Sequence, residues 1–266
     1  MRILFLLIGM LLHVGVFAQS EKYYDEFQKL ASKDMKLVFE DSFKKDWQKQ
    51  WFKDGDIAKA VHRNGGLEVY AGDEAYNDAH HTVLWTKKEF EGNIMIEYDF
   101  TRLDSSKYYF VNILYIQATG SGQGEYAEDI SKWNDLRKIP AMSTYFRNMN
   151  TYHISYAVTG VPSENKDEYI RGRRYMPGNN LQGTDLKPEY YNTGLFKIGV
   201  TYHIKVIKYG DQLYMNVTGD GRNETFYFDG SSAPAITKGR IGLRQMFTRN
   251  SRYANFKVYS KNNSCK

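Results

Sequence analysis

The chain has 266 residues, a formal net charge of +5 and one cysteine, Cys265. A single cysteine excludes an internal disulfide and a cysteine metal cluster, and the mild charge is unlike the concentrated positive charge of a nucleic-acid-binding protein. Tyrosine is abundant, with 22 residues, which suits both β-strands and surfaces that stack against sugars.

The first 18 residues have the pattern of a cleaved secretory signal peptide. Arg2 precedes an apolar run from Ile3 to Phe17, and Ala18 supplies a small residue at the expected cleavage site. The run is too short for a membrane span with these flanks, and no longer run follows. We therefore expect a secreted or periplasmic protein without a membrane span, whose net charge falls to +4 when Arg2 is removed from the 36 basic residues.

The remaining residues, 19 to 266, are predicted to form one domain with a core of about 37 to 259. Residues 20 to 34 have helical spacing and predict a short N-terminal helix. Segments of β-rich composition follow: 37–43, 65–72, 80–86, 93–103, 108–120, 151–158, 199–210, 211–219, 224–230, 239–246 and 253–260. Successive strands joined by tight turns, as at Tyr209 to Gln212, favour an all-β, two-sheet antiparallel jelly roll of the concanavalin-like sandwich type.

Two long segments interrupt this pattern. Residues 120 to 147 are predicted to contain a helix across Ala127 to Arg137, and residues 159 to 195 are rich in Gly, Asn, Arg and Tyr. Loops of this length in a compact domain are commonly functional. Because both flank the strand at 151 to 158, we expect them to converge over the sheet face that carries His153.

Five stretches together resemble the YesU-like family, whose genes lie among those for the breakdown of uronic-acid polysaccharides. They are HTVLW (81–85), IEYDF (96–100), NTYHISY (150–156), GRIGLRQM (239–246) and NFKVY (255–259). The resemblance covers roughly residues 37 to 259 and implies a concanavalin-like sandwich. The sequence is also similar to ulvan oligosaccharide dehydratases, which implies removal of water from a terminal uronic acid to give a 4,5-unsaturated sugar.

Such an elimination needs a base for the C5 proton, an acid for the group on C4 and a donor that stabilises the carboxylate. His153 shares a strand face with Thr151 and Ser155, and neutral imidazole suits proton transfer. His81 lies in the matched HTVLW stretch and is the second candidate. A histidine satisfied by a neighbouring hydroxyl, or one at the edge of the core, is the structural alternative for each.

The remaining catalytic and binding candidates come from the loops and from GRIGLRQM. Tyr145 is a candidate acid, whereas strand parity disfavours Tyr156. Arg244 is the candidate carboxylate clamp, because guanidinium binds carboxylate through two parallel hydrogen bonds. Gln245 ranks lower, since it shares parity with apolar neighbours.

Asn112, Arg147, Arg174 and Trp133 complete the predicted substrate-binding set. Asn112 interrupts an apolar strand, and an unsatisfied buried amide costs about 1 to 3 kcal/mol, so we expect it to face a polar groove. The two arginines suit an acidic oligosaccharide, although solvated basic loops are common. Trp133 could stack on a sugar.

Two other functions stay open. A non-catalytic sugar-binding module could use Trp133, Tyr126 and the 159 to 195 segment. A glycoside hydrolase is disfavoured, because the stretch from Glu97 to Thr101 lacks the third of its alternate carboxylates. We expect no metal or nucleotide cofactor, since the motifs that bind them are not found.

Overall fold

The computed structural model describes residues 21–158 and 166–261. The predicted signal peptide, Cys265 and residues 159–165 lie outside the described residues. Helix α1 spans 21–31 and helix α2 spans Met142–Asn148, and short 3-10 helices span Trp47–Lys49, Asp78–His80 and Ile130–Arg137. None of the helices in the described ranges has the length and apolar character needed to cross a bilayer.

The first sheet contains the strand that carries His153, which pairs with a strand on each side. Its strand order is β2-β5-β15-β8-β9-β10, and the short strand β6 pairs with the start of β15. The strands are β2 Trp51–Asp54, β5 Thr82–Thr86, β6 Phe90–Glu91, β8 Asn112–Gly120, β9 Met149–Tyr156, β10 Tyr169–Tyr175 and β15 Lys238–Gln245.

The second sheet has the order β11-β14-β13-β12-β7-β16-β4-β3, with β1 also paired to β16. Strand β11 joins the two sheets, because it pairs with both β10 and β14. The strands are β1 Lys36–Asp41, β3 Lys59–Arg63, β4 Gly66–Tyr70, β7 Ile94–Arg102, β11 Asp185–Tyr191, β12 Thr201–Tyr209, β13 Gln212–Gly219, β14 Arg222–Asp229 and β16 Asn250–Ser260.

The main core lies between the two sheets and follows the two-residue period of the strands. Leu114 and Tyr152 of the first sheet and Ile96 and Ile204 of the second all belong to one buried cluster. Alternate residues face opposite sides of a strand, so the intervening residues of the first sheet lie on its outer face. The predicted two-sheet jelly roll and the N-terminal helix are confirmed.

Two predictions about the interrupting segments need correction. The segment 159 to 195 is not one long loop, since β10 and β11 lie within it. Sequence analysis missed these strands because charged residues and tyrosines dominate their composition. The two strands pair with each other where the two sheets join. The predicted helix across Ala127 to Arg137 is 3-10 helical from Ile130, and α2 follows it in a stretch that we did not predict to be helical.

Candidate functional site

A second buried cluster covers the outer face of the first sheet. It joins Trp85 of β5 and Tyr115 of β8 to Ile130, Trp133 and Tyr145 of the segment that follows β8. We call residues 121–148 the cover segment. An outer face is normally solvated in an antiparallel sandwich, so the cover segment turns this face into an enclosed environment.

Asp54 fixes the cover segment to the sheet. Its carboxylate accepts hydrogen bonds from Trp85 Nε1 at 2.7 Å and Asn134 Nδ2 at 2.6 Å. It also accepts from Arg137 Nε at 2.7 Å and Tyr145 OH at 2.8 Å. Three of these four donors belong to the cover segment, and Asp54 and Arg137 form a fully buried ion pair.

Arg244 lies fully buried beneath the cover segment. Its Nη2 lies 2.6 Å from His81 Nδ1 and donates to the Pro140 carbonyl at 2.7 Å, and its guanidinium carbon sits 4.3 Å from the ring centre of Tyr145. Its Nε and Nη1 have no hydrogen-bond partner among the described residues. Burial opposes its charge, but neighbouring tyrosines and Asp54 keep the pKa of Arg244 above its usual value.

His81 contacts Arg244 from the end of a short helix. The 3-10 helix Asp78–His80 ends there, and the extended backbone of His81 leads into β5. Burial and the charge of Arg244 lower the pKa of His81 to about 2, so its imidazole is neutral. Its Nε2 makes no hydrogen bond to any described residue.

His153 lies on the same covered face of the sheet, on β9. Its ring is 2 % exposed and packs edge-on against Tyr175 at 4.7 Å between centroids. Its Nε2 lies 3.2 Å from Ser155 Oγ, whereas Nδ1 is unpartnered within the described ranges. Burial, then the charges of Arg173 and Arg171, lower the pKa of His153 well below its usual value.

Tyr115 lies beside both His153 and Tyr145. It pairs with His153 across the β8–β9 ladder, and its ring centroid lies 5.8 Å from those of both His153 and Tyr145. Burial raises the pKa of Tyr115 to about 12, and the charge of Arg244 opposes that rise. Its hydroxyl makes no hydrogen bond of good geometry in the described structure.

We call His81, Tyr115, His153 and Arg244 the polar cluster. Buried polar atoms are almost always hydrogen-bonded in native proteins, to protein or to ordered water, so several unsatisfied atoms close together indicate a place for water or a polar ligand. The arginine supplies positive charge, and no carboxylate of the described chain lies within salt-bridge distance of it. Sequence reasoning missed Tyr115, although its face could have been derived by parity from the pairing of its strand with that of His153.

Tyr145 does not fit the role of acid. Its hydroxyl donates its proton to Asp54 at 2.8 Å, so that proton is not available to a leaving group. The side chain is thus a fixed part of the cover and a cation–π partner of Arg244. Our expectation that Tyr145 supplies the proton is corrected.

Asn112 and Gln245 lie on the wrong face of the sheet. Asn112 Nδ2 donates to Ser251 Oγ at 3.0 Å on β16, in the opposite sheet. The Gln245 amide, oriented to satisfy its neighbours, donates to Val69 O at 3.2 Å and Arg249 O at 2.8 Å. Both side chains point between the sheets, so neither can contact a ligand in the polar cluster.

Arg174 also lies on the face of the sheet that points away from the polar cluster. On β10 it pairs with Tyr152, whose ring lies in the main core, and its Nη2 donates to the Pro234 carbonyl at 3.2 Å. Arg171 and Arg173 have the opposite parity, and their charges act on His153. On β10, the arginines on the side of His153 are therefore Arg171 and Arg173, and not the predicted Arg174.

Arg147 and Trp133 lie outside the polar cluster. Arg147 is exposed at the end of α2, and its Nε donates to Asn180 Oδ1 at 3.0 Å. Trp133 is 3 % exposed, with Arg137 4.1 Å from its ring centre and its indole N–H bound to the Ala127 carbonyl. A covered ring cannot serve as a stacking platform, so Trp133 is corrected to a structural residue.

The carboxylates weighed for hydrolysis lie on the other sheet. Glu97 and Asp99 project from β7, and Asp99 Oδ1 lies 2.8 Å from His203 Nδ1. Tyr98, between them, belongs to the main core. The two acids therefore face away from the polar cluster, which removes them from any common site with His153.

The polar cluster is closed to solvent in this structure. Arg244 is 0 % and His81 is 1 % exposed. A cavity of about 530 Å³ opens elsewhere, at the edge formed by Phe90, Lys238 and Lys261. Access of a ligand to the polar cluster thus requires movement of the loops around Pro140 or Phe247.

Solved structures with this architecture are numerous. A protein of unknown function with a galectin-like fold from Bacillus subtilis is 19% identical and has a TM-score of 0.60, over 85% of this chain and 98% of that one. A legume lectin-like domain from Entamoeba histolytica is 8% identical, with a TM-score of 0.55 over 84% and 97% of the two chains. The lectin UEA-II complexed with galactose is 9% identical, with a TM-score of 0.52 over 86% and 100%.

These likenesses establish a galectin-like and legume-lectin-like fold. No curated protein matches the sequence. Residues 36–258 match the family described as Domain of unknown function (DUF1961), and this match spans most of the 266 residues. The chain therefore belongs to the DUF1961 family.

Proposed function

We propose that the protein is a secreted carbohydrate-active lyase that removes water from a terminal uronic acid of an acidic oligosaccharide. The main observation in support is the polar cluster, where a buried arginine without a carboxylate partner lies near two neutral histidines and a tyrosine. The sugar-bound lectin that shares the fold and the resemblance to YesU-like proteins and ulvan dehydratases support a sugar ligand.

Arg244 would hold the C6 carboxylate. Its Nε and Nη1 have no hydrogen-bond partner in the described structure. They lie on different edges of the guanidinium, and each edge is shared with Nη2, which His81 and Pro140 occupy. A carboxylate placed beside Nη1 would accept a charge-assisted hydrogen bond and neutralise the buried charge. The same contact would stabilise the charge that develops when C5 is deprotonated.

Proton transfer would use the neutral side chains. His153, through Nδ1, would take the C5 proton, and the C5–H electrons would form the C4=C5 double bond as the C4–O4 bond breaks. Tyr115, protonated at neutral pH because its pKa is about 12, would give a proton to the departing hydroxyl, which leaves as water. His81 would orient Arg244 through its 2.6 Å contact. A proton transferred from His153 back to Tyr115 restores both groups.

The test follows formation of the conjugated unsaturated uronate. Oligosaccharides ending in a saturated uronate are incubated with the protein, and ultraviolet absorbance is recorded with mass spectrometry of the products. We expect a new chromophore and the loss of one water. His153→Asn should lower kcat at least about 100-fold, the usual contribution of a general base. Arg244→Lys should raise KM, because the ammonium of lysine cannot place donors where the planar guanidinium places them.

The matched control is His62→Asn, since His62 is an exposed histidine on β3 of the other sheet. It should keep wild-type activity. Full activity of His153→Asn would remove His153 from the mechanism. Saturable binding of the oligosaccharide without a chromophore would replace the lyase by a non-catalytic sugar-binding protein, the second candidate that the lectin-like fold favours.

A further inference from the structure

Four aromatic rings form a patch beside the polar cluster. Tyr76 is 74% exposed and Tyr108 is 44% exposed, whereas Phe110 and Phe247 are buried beneath them. Tyr76 lies 5.4 Å from Phe110 and 5.8 Å from Phe247 between ring centroids. We call these four residues the aromatic platform. Large exposed aromatic surfaces commonly mark binding sites.

The aromatic platform is continuous with the polar cluster. The ring of Phe247 lies 4.5 Å from that of His81, and His81 contacts Arg244. From the surface inward, Tyr76, Phe247, His81 and Arg244 pack one against the next, so a ligand that reaches Arg244 from this side displaces the loop of Phe247. A ligand whose acidic end lies at Arg244 would therefore extend toward Tyr76.

Three loops that carry the rings are tied together. Ser106 Oγ lies 2.8 Å from Thr248 Oγ1, and the amide of Thr248 donates to the Gly72 carbonyl at 2.7 Å. The buried pair of Arg249 Nη1 and Asp104 Oδ1, at 2.8 Å, joins two of these loops. A platform held by its supporting residues loses little conformational entropy when a ligand binds.

We infer that the aromatic platform is a subsite for the neutral sugar ring that follows the terminal uronate. The ring faces carry no net charge, and they bind the C–H face of a pyranose better than a charged group. The two ends of the ligand would therefore bind at different places. The anionic sugar would lie at Arg244, and a neutral sugar would lie on Tyr76 and Tyr108. This inference rests on the proposed function and adds that the substrate is an oligosaccharide read beyond its last unit.

The experiment compares substrate lengths. The probes are a methyl glycoside of a single uronate and a tetrasaccharide that ends in the same uronate at its non-reducing end and continues in neutral sugars. Tyr76→Ala and Tyr108→Ala should each reduce the ratio of kcat/KM for the tetrasaccharide to that for the monosaccharide by about tenfold. Tyr76→Phe should keep most of the ratio, since the ring remains.

Tyr209→Ala is the matched control. Tyr209 is a partly exposed tyrosine at the end of β12, beside the start of β7 and away from the loop after β7 that carries Tyr108. It should leave the ratio unchanged. A ratio equal to that of the wild type in both alanine variants would overturn the subsite.

Calorimetric titration of the tetrasaccharide separates this inference from the elimination. If the wild type forms no chromophore but Tyr76→Ala weakens binding about tenfold, the subsite stands and the proposed reaction fails. If the wild type sediments as a dimer and Tyr76→Ala as a monomer, with equal sugar binding, the platform is a contact between two copies and the subsite is overturned.

Discussion

Asp54 shows how one buried side chain can organise a site that it does not enter. Its carboxylate binds four donors from the first sheet and the cover segment. A charged acceptor strengthens each bond, and the ion pair with Arg137 is buried on both sides. The enclosure of Arg244 and His153 therefore depends on Asp54.

Replacing Asp54 by asparagine is predicted to destabilise the protein by about 3 kcal/mol, because Arg137 would be left as an uncompensated buried charge. Urea unfolding at pH 7 measures the change. Asp56→Asn is the control, since Asp56 is exposed two residues away and should change stability by less than about 0.5 kcal/mol. Equal stability of the two variants would contradict the role given to Asp54.

At the scale of elements, β10 shows how residues of a strand are divided between two environments. Arg171 and Arg173 lie on the side of His153, whereas Gly172 and Arg174 lie toward the second sheet. A Cβ at Gly172 would lie 2.8 Å from Cδ1 of Phe228 on β14. The glycine thus lets the sheets approach near their junction.

Gly172→Ala is predicted to cost about 1 to 3 kcal/mol through overpacking against the Phe228 ring. Phe228→Leu should relieve part of this cost, so the double variant should be more stable than the sum of the two single changes implies. Thermal and urea unfolding of the three variants measures the coupling. Strict additivity would show that the two residues do not compete for the same space.

At the scale of the whole molecule, two buried neutral histidines link folding to pH. His81 and His153 both have pKa values lowered mainly by burial, so the unfolded chain binds more protons than the folded one below pH 6.5. The stability associated with a neutral buried histidine is complete above pH 6.5. It decreases as the pH falls from 6.5 toward the pKa of the folded state. For His81 that window reaches down to about pH 2.

We predict that the free energy of unfolding falls between pH 6.5 and 5, with His81 alone accounting for about 2 kcal/mol. The depressed carboxylate pKa values, such as that of Asp99, act below this range. Urea unfolding at pH 7, 6 and 5 should show a clearly smaller loss in the double variant His81→Asn, His153→Asn. An unchanged pH dependence in that variant would assign the loss to other groups.

Much of the fold followed from the sequence because strand periodicity is a local property. The faces of His153, Tyr152 and Tyr156 were derivable from alternation alone, and so was the shared face of His81, Val83 and Trp85. The same alternation placed Gln245 on the face of its apolar neighbours, away from the predicted site. Alternation could not predict which face of the sheet Asn112 lies on. It shows which residues share a face, but it does not show which face is the outer one.

The sequence by itself determined that strands dominate this chain and which side chains alternate within each strand, since those features depend on neighbours a few residues away. Only the tertiary structure decided that the cover segment encloses the outer face, that Tyr145 binds Asp54, and that Tyr115 lies between His153 and Arg244. These contacts join residues separated by tens to more than a hundred positions. Their formation depends on how strands pair and loops close, which local composition does not specify.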